Sequence, residues 1–235
     1  YTSQPYWSPF PRSPVVMELT FNNEEIIIIN NHFKCCGNGI MNLSDSGDEE
    51  TRRYYASNLL KEYIDNNFSD KRVIMLGDLN DIITDSEANN VFQGFLNDSL
   101  NYQFSDMEIA LGQYFGWSYP SWPSHLDHIL ITNEVFDEFV NPESEIKVIK
   151  VDEFISGGWS AYDNNVSDHR PVGLKLKLEP TLIEEIKEET FTIYPNPARS
   201  IITLEFKPSN SINHLQIYSS LGKITKDLIN ESNSN

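Results

Sequence analysis

Apolar positions along the chain fall into short runs broken by polar loops, and two periodicities separate them. The uninterrupted β-branched run IIIINNHF (26–33) and the run RVIMLGD (72–78) have the look of strands covered on both faces. VVMELTF (15–21), HLDHILIT (125–132) and EIKVIKV (145–151) read as further strands. PVGLKLKL (171–178) alternates apolar and polar residues, as a half-exposed strand does. One segment instead carries the helical period. Ala56, Leu59, Leu60, Tyr63 and Ile64 form an apolar stripe running to about Phe68. Its start is marked by Ser46 with Glu49 three residues on, a capping box, and by Asp48, Glu49 and Glu50 where the helix dipole favours anions. Residues 85–124 read as loop and short helix, ending in the proline-broken aromatic string GWSYPSWPS (116–124). Strands interleaved with a helix and long loops predict an α/β sandwich.

The character of the chain changes near Glu179. The stretch 180–190 is acidic and lacks aromatic residues, as a linker does, and short alternating strands resume at 191. The expected organisation is a main domain over 1–179, a linker over 180–190 and an incomplete small β-sandwich over 191–235. An apolar content of 39% is enough for a real core. No run approaches the roughly 18 apolar residues of a membrane span. The chain opens on Tyr1 with no basic and apolar leader, so an export signal is expected upstream. A formal net charge of -18 excludes the basic footprint of a simple nucleic-acid binder. It leaves room for phosphate chemistry in which a divalent cation supplies the positive charge. The two cysteines, Cys35 and Cys36, are adjacent, and their spacing is no metal motif. A bond between neighbours is strained, because ordinary bridges span Cα atoms about 4.4–6.8 Å apart, so pairing with a cysteine upstream stands equally open.

Polar clusters close or open the apolar runs: Asn31-His32, Asp78-Leu79-Asn80, Asp127-His128 and Ser167-Asp168-His169. Side chains at strand ends meet on one rim of a sheet, where ligand sites form, provided the strand after His169 runs opposite to the others. Carboxylates, imidazoles and an amide suit phosphoryl transfer, in which a water must be oriented and charge on phosphate oxygens neutralised. Such donors match hard cations rather than structural zinc.

NHFK (31–34), GDLND (77–81), LDHIL (126–130) and SDHRPV (167–172), in that order, resemble the second half of the endonuclease/exonuclease/phosphatase superfamily. The resemblance spans about 12–178 and implies part of a four-layer, deoxyribonuclease-I-like α/β sandwich. It implies His32 as a donor to the scissile phosphate and Asp78 as the group that orients or deprotonates water. Asn80 would hold that water or a phosphate oxygen, and Asp168 would sit at the metal. His169 would stabilise the transition state, with Asp127 orienting it. The cofactor implied is Mg2+ or Mn2+. The family's metal-binding Glu, and an Asn, belong to its first half and are expected upstream. YPNPARSIITLEF (194–206) with IYSSLGK (217–223) is similar to the type A sorting domain of the type IX secretion system of Bacteroidetes. That similarity implies handling by the secretion machinery and a destination at the cell surface or outside.

These readings converge on a secreted, metal-dependent phosphodiester hydrolase, first of all a nuclease on extracellular nucleic acid. A phospholipid or inositol-phosphate phosphoesterase is the alternative of the same chemistry, because YPSWPSHLDHIL is similar to the proline-tryptophan segment of inositol phosphatases. A non-catalytic surface module is the alternative of another class. His128 should face away from Asp127, as strand neighbours do, and be structural. His125 is expected as a loop residue at the rim. Trp117, Tyr119 and Trp122 are either a stacking platform or pins for a long loop. Asp45, Asp48, Glu49 and Glu50 offer a minor Ca2+ site, though the helix dipole already accounts for the last three.

Overall fold

The structure is a computed structural model that describes residues 8–178 and, in the tail, 191–194, 201–206, 214–218 and 223–229. The chain divides into two compact units, Tyr1–Thr181 and Leu182–Asn235. The expected linker over 180–190 lies outside the described residues.

The first unit is built on a five-stranded mixed sheet in the order β1-β2-β3-β5-β4. β1 (Val15–Phe21) and β2 (Glu24–His32) form an antiparallel hairpin. Its two turn residues, Asn22 and Asn23, both have positive φ, the requirement of the turn that matches strand twist. β3 (Arg72–Asp78) lies parallel to β2, and parallel neighbours need a crossover. Helix α1 (Glu49–Asn67) is that crossover. β4 (Tyr102–Phe104) and β5 (Asp127–Thr132) complete the sheet, with β5 antiparallel to both β3 and β4. Short helices α2 (Gln93–Leu96), α3 (Met107–Ala110) and α4 (Phe136–Phe139) fill the connections.

Alternation along β3 explains why the sheet needs cover on both faces. Val73 and Met75 join Ile27, Ile29, Ala56, Leu60 and Ile64 in a core between sheet and α1. Ile74 and Leu76 pack on the opposite face with Ile129, Ile131, Ile146, Val172 and Leu174. The last three belong to β6 (Glu145–Val148) and β7 (Val172–Lys175), an antiparallel pair that forms the second sheet among the described residues of the first unit. Helix α5 (Gly158–Asn165) lies in the connection between them. Among its described residues the tail unit holds two antiparallel pairs. β8 (Phe191–Tyr194) pairs with β9 (Thr203–Phe206), and β10 (His214–Tyr218) pairs with β11 (Ile224–Ile229).

Several expectations are corrected. The helix starts two residues later than a Ser46 cap requires. Asp48 is the N-cap, its carboxylate accepting the Thr51 N–H at 2.8 Å, and Glu49 opens the helix. Tyr63 is exposed, whereas Arg53 on the same helix is buried at 3%. Residues 102–104, read as loop, form the edge strand β4, paired with β5. β6 and β7 stop at Val148 and Lys175, short of the apolar runs that suggested them.

Arg53 is buried because it belongs to a polar chain under the rim of the sheet. Its Nη1 donates to the carbonyls of Lys34 and Cys36, both at 2.8 Å, and its Nε donates to Asp81 Oδ2 at 2.7 Å. The Asp81 carbonyl in turn accepts from His128 Nε2 at 2.9 Å. His128 Nδ1 meets Asp106 Oδ2 at 2.6 Å, and Asp106 also bonds His125 Nε2 at 3.0 Å and the Ile129 N–H at 2.9 Å. Burial disfavours the charge on Asp106, but the His128 and His125 partners outweigh it and hold its pKa well below the usual range. Burial likewise opposes the imidazolium of His128, and the Asp106 carboxylate outweighs it, so that pKa is raised.

The signs fix the pH behaviour. A depressed carboxylate contributes stability above its ordinary range and loses it as pH falls through the lowered value. A raised imidazole contributes below its ordinary range and loses it as pH climbs through the raised value. Both contributions are therefore full between about pH 4 and about pH 6.5. Asp106→Asn strands a buried cation and is expected to cost about 3–5 kcal/mol in urea unfolding within that window. A loss below about 1 kcal/mol, the scale of an exposed pair, would show that the pair is not holding the fold.

Candidate active site

The strand registers put three of the expected residues in one line. His32 pairs with Asp78 across β2 and β3, and Asp78 pairs with Asp127 across β3 and β5. Directly paired residues place their side chains on the same face, so an imidazole and two carboxylates stand side by side. Glycine makes this row possible. Gly77 has φ +139°, and a Cβ there would collide with the Asn31 carbonyl of the neighbouring strand. Beyond Asp78 the chain turns. Asp78 Oδ1 accepts the Asn80 N–H at 3.0 Å, and Asn80 adopts a left-handed φ of 53°, which asparagine tolerates. Leu79 between them is fully buried and anchors the turn.

His169 reaches the row from the second sheet. Its Nδ1 lies 2.6 Å from Asp127 Oδ2, and its Nε2 lies 3.9 Å from Asp78 Oδ2. His32 Nε2 is 3.5 Å from the same Asp78 oxygen. Ser118 sets the approach. Its carbonyl accepts the Arg170 N–H at 2.7 Å, and its hydroxyl accepts from the Leu126 and Asp127 amides at 3.2 and 3.3 Å. One buried serine thus ties the start of β7 to the start of β5. Arg170 is held in turn by a two-pronged pair with Asp152 at 2.9 and 2.6 Å, and Tyr162 donates to the His169 carbonyl at 3.3 Å. The ring of Tyr119 lies 4.8 Å from the imidazole of His169, centroid to centroid.

The electrostatics follow from crowding. Burial and the nearby Asp127 charge push the Asp78 pKa up, against the opposing pull of His169 and His32. Burial would lower His169, but its bond to Asp127 and the charges of Asp127, Asp78 and Asp168 raise it. Ligand atoms of Asp78, Asp127 and His169 all lie within 4.8 Å of one another. Asp168, the residue expected at the metal, is exposed and falls outside that group. His32, Asp78, Asn80, Asp127 and His169 are therefore brought together, and Asp168 stands beside them at the surface.

Other candidates sort differently. His128 is buried on the far side of β5 from Asp127 and belongs to the polar chain under the rim. His125 is not at the rim. It is 2% exposed, with Nε2 on Asp106. Trp117 donates to the Ile109 carbonyl at 3.0 Å and pins its loop, whereas Trp122 is 78% exposed. Asp45 caps a local turn by accepting the Gly47 N–H, and the group with cation-ligand spacing at the helix start is Asp48, Glu49 and Glu50. The functional supports that sequence reading missed are Arg53, Asp106, Ser118 and Arg170. Arg170 alone had a signal, its place directly after the SDH string.

Residues 3–169 match the family model described as the endonuclease/exonuclease/phosphatase family. The chain belongs to that family. Its strand-end row and the imidazole from the second sheet sit within the matched residues, and the fold is the family's deoxyribonuclease-I-like α/β architecture. Residues 192–235 match the secretion system C-terminal sorting domain, which marks this family member for type IX secretion to the cell surface or outside. No helix among the described residues is long and apolar enough to cross a membrane.

Similar solved structures include D. rerio TDP2 complexed with single-strand DNA product, at 15% identity and TM-score 0.49, covering 70% of this chain and 61% of that one. An AP endonuclease from Archaeoglobus fulgidus matches at 10% identity and TM-score 0.48, over 69% and 65% of the two chains. An endonuclease/exonuclease/phosphatase from Bacteroides vulgatus matches at 13% and 0.44, over 73% and 58%. The chain spans about three fifths of the length of these structures. Among curated proteins none matches.

Gly77→Ala is expected to destabilise the protein by about 1–3 kcal/mol, since the added methyl forces β2 and β3 apart where they carry His32 and Asp78. Chemical denaturation measures the loss. An unchanged midpoint would mean that the strands do not need to approach so closely.

Proposed function

We propose that this protein hydrolyses phosphodiester bonds by in-line attack of water, with extracellular nucleic acid as its first substrate. The observation that carries the reading is the row His32, Asp78 and Asp127 with His169 clamped onto Asp127 at 2.6 Å. Two imidazoles flank one carboxylate of raised pKa, which pairs proton donors with a base at a single point.

The side chains fit a hard divalent cation, Mg2+ or Mn2+, because carboxylate oxygens dominate the group and a hard ion takes oxygen ligands. Asp127 is committed to His169 and Asp78 to the water, so the exposed Asp168 is the carboxylate that would hold the ion. Bound there, such a cation would neutralise charge on the phosphate oxygens. Asp78 orients water and takes its proton, a task suited to a carboxylate whose pKa burial has raised. Asn80, whose side-chain Nδ2 donates a hydrogen bond to the Phe33 carbonyl at 3.3 Å, holds the water or a phosphate oxygen. His32 and His169 donate to phosphoryl oxygens as charge builds there. Asp127 keeps the His169 ring in place and favours its protonated form. Nucleic acid is favoured by the aromatic face of Tyr119 beside His169 and by the exposed Trp122 in the same loop, surfaces on which bases stack.

His169→Ala is expected to lower kcat/KM about 10²–10⁴-fold at unchanged circular dichroism, and chelation should abolish turnover. Unaltered turnover in a metal-saturated variant would remove His169 from the mechanism. Because protonated His169 is the donor and its pKa is raised, activity should persist above the ordinary imidazole range and fall as pH rises through the raised value. Asp127→Asn takes away the main raising influence, so the alkaline limb of the pH profile should move to lower pH. A limb that stays put would assign it to another group. Parallel assays on DNA, RNA, sphingomyelin and inositol phosphates test the substrate. A higher kcat/KM on lipid or inositol phosphate would overturn the nucleic-acid assignment.

A further inference from the structure

Three residues beyond His32 the chain makes a turn that the hydrolytic site does not use. Cys35 and Cys36 are both exposed and both free, and Cys36 has a positive φ of 72°, rare for a residue with a side chain. That left-handed step brings the two sulfurs to one side of the turn, where the Cys36 thiol donates to Cys35 Sγ at 2.9 Å. Lys34 Nζ stands 3.9 Å from the same Cys35 sulfur. The backbone around the pair is already fixed, because Arg53 holds the carbonyls of Lys34 and Cys36 on either side.

We propose that Cys35 and Cys36 are a redox modification site, which closes to a vicinal disulfide by exchange with a low-molecular-weight disulfide and reopens with thiol. Cys35 sulfur attacks the small disulfide, forms a mixed disulfide and releases one small thiol. Cys36 sulfur then attacks the Cys35 sulfur and expels the second small thiol. Two cysteine thiols are oxidised by two electrons, and one small disulfide is reduced to two thiols. The sorting tail carries the chain out of the reducing cytosol, to where such oxidants persist. Adjacency keeps the Cα atoms about 3.8 Å apart, closer than an unstrained bridge allows, so the bond is of the labile kind rather than a permanent staple.

The test is thiol mapping of the full protein after incubation with oxidised glutathione, by alkylation, trypsin and mass spectrometry. Trypsin cuts after Lys34 and Arg52, so both sulfurs fall in one peptide. The expected product is that peptide two hydrogens lighter and unalkylated, restored to two alkylated thiols by dithiothreitol. Cys35→Ser and Cys36→Ser should each stop at a stable glutathione adduct on the remaining cysteine. Two alkylated thiols after excess oxidant would overturn the proposal. So would a lasting glutathione adduct on the unsubstituted protein, or a bond from either sulfur to any other cysteine.

Discussion

A carboxylate with no access to water, Asp106, holds the working end of this molecule in register. Taking a charge out of water costs several kcal/mol, and that cost is recovered only when every lone pair finds a donor. Asp106 finds His128, His125 and the Ile129 amide. His128 passes the constraint to the Asp81 carbonyl, and Arg53 passes it from the Asp81 carboxylate to the turn beyond His32. The loops after β2 and β3 and the first residues of β5 are thus bound to one another beneath the site. Hydrophobic contact alone would hold the strands together but leave their ends free to shift, because it has no direction. Hydrogen bonds to buried charges supply that direction.

Above this floor the environment becomes progressively wetter. Asp106 is sealed, Asp78 and Asp127 are about one fifth exposed, and the His32 ring is about two fifths exposed. Such a gradient lets one small region keep permanent ions below and titrating groups above. The row of acids would repel a phosphate by itself, and a net charge of -18 over the chain offers no relief. A bound cation would reconcile the two, and the carboxylates that would repel a phosphate could also hold it. Ser118 and Tyr119 show how the long aromatic loop contributes: one joins the two sheets through its carbonyl and its hydroxyl, and the next presents its ring to His169.

His32, Asp78, Asn80, Asp127 and His169 were legible because each follows or opens an apolar run, and strand ends gather on a rim. Arg53 was not. On a helical wheel it reads as one more surface charge, and only the packing of α1 against two loops takes it out of water. Asp106 sits in a stretch without clear periodicity, so neither its burial nor the strand just before it could be read locally. His128 was legible as a structural strand histidine facing away from Asp127, whereas His125, read as a loop residue at the rim, turns inward to the same buried carboxylate. The helix cap was misplaced by two residues because Ser46 and Asp48 are both residue types that cap helices, and the turn geometry chooses between them.

By itself the sequence determined most of the elements and the chemical inventory, since side-chain period and residue type act over a few neighbouring positions. It also determined that a domain of the endonuclease/exonuclease/phosphatase family precedes a sorting tail, because the motifs that mark each are contiguous strings. Only the tertiary structure decided which charges are buried, which imidazole is clamped and which carboxylate remains available. Those properties depend on solvent exclusion and on distances between residues far apart in the chain, and no local pattern records them.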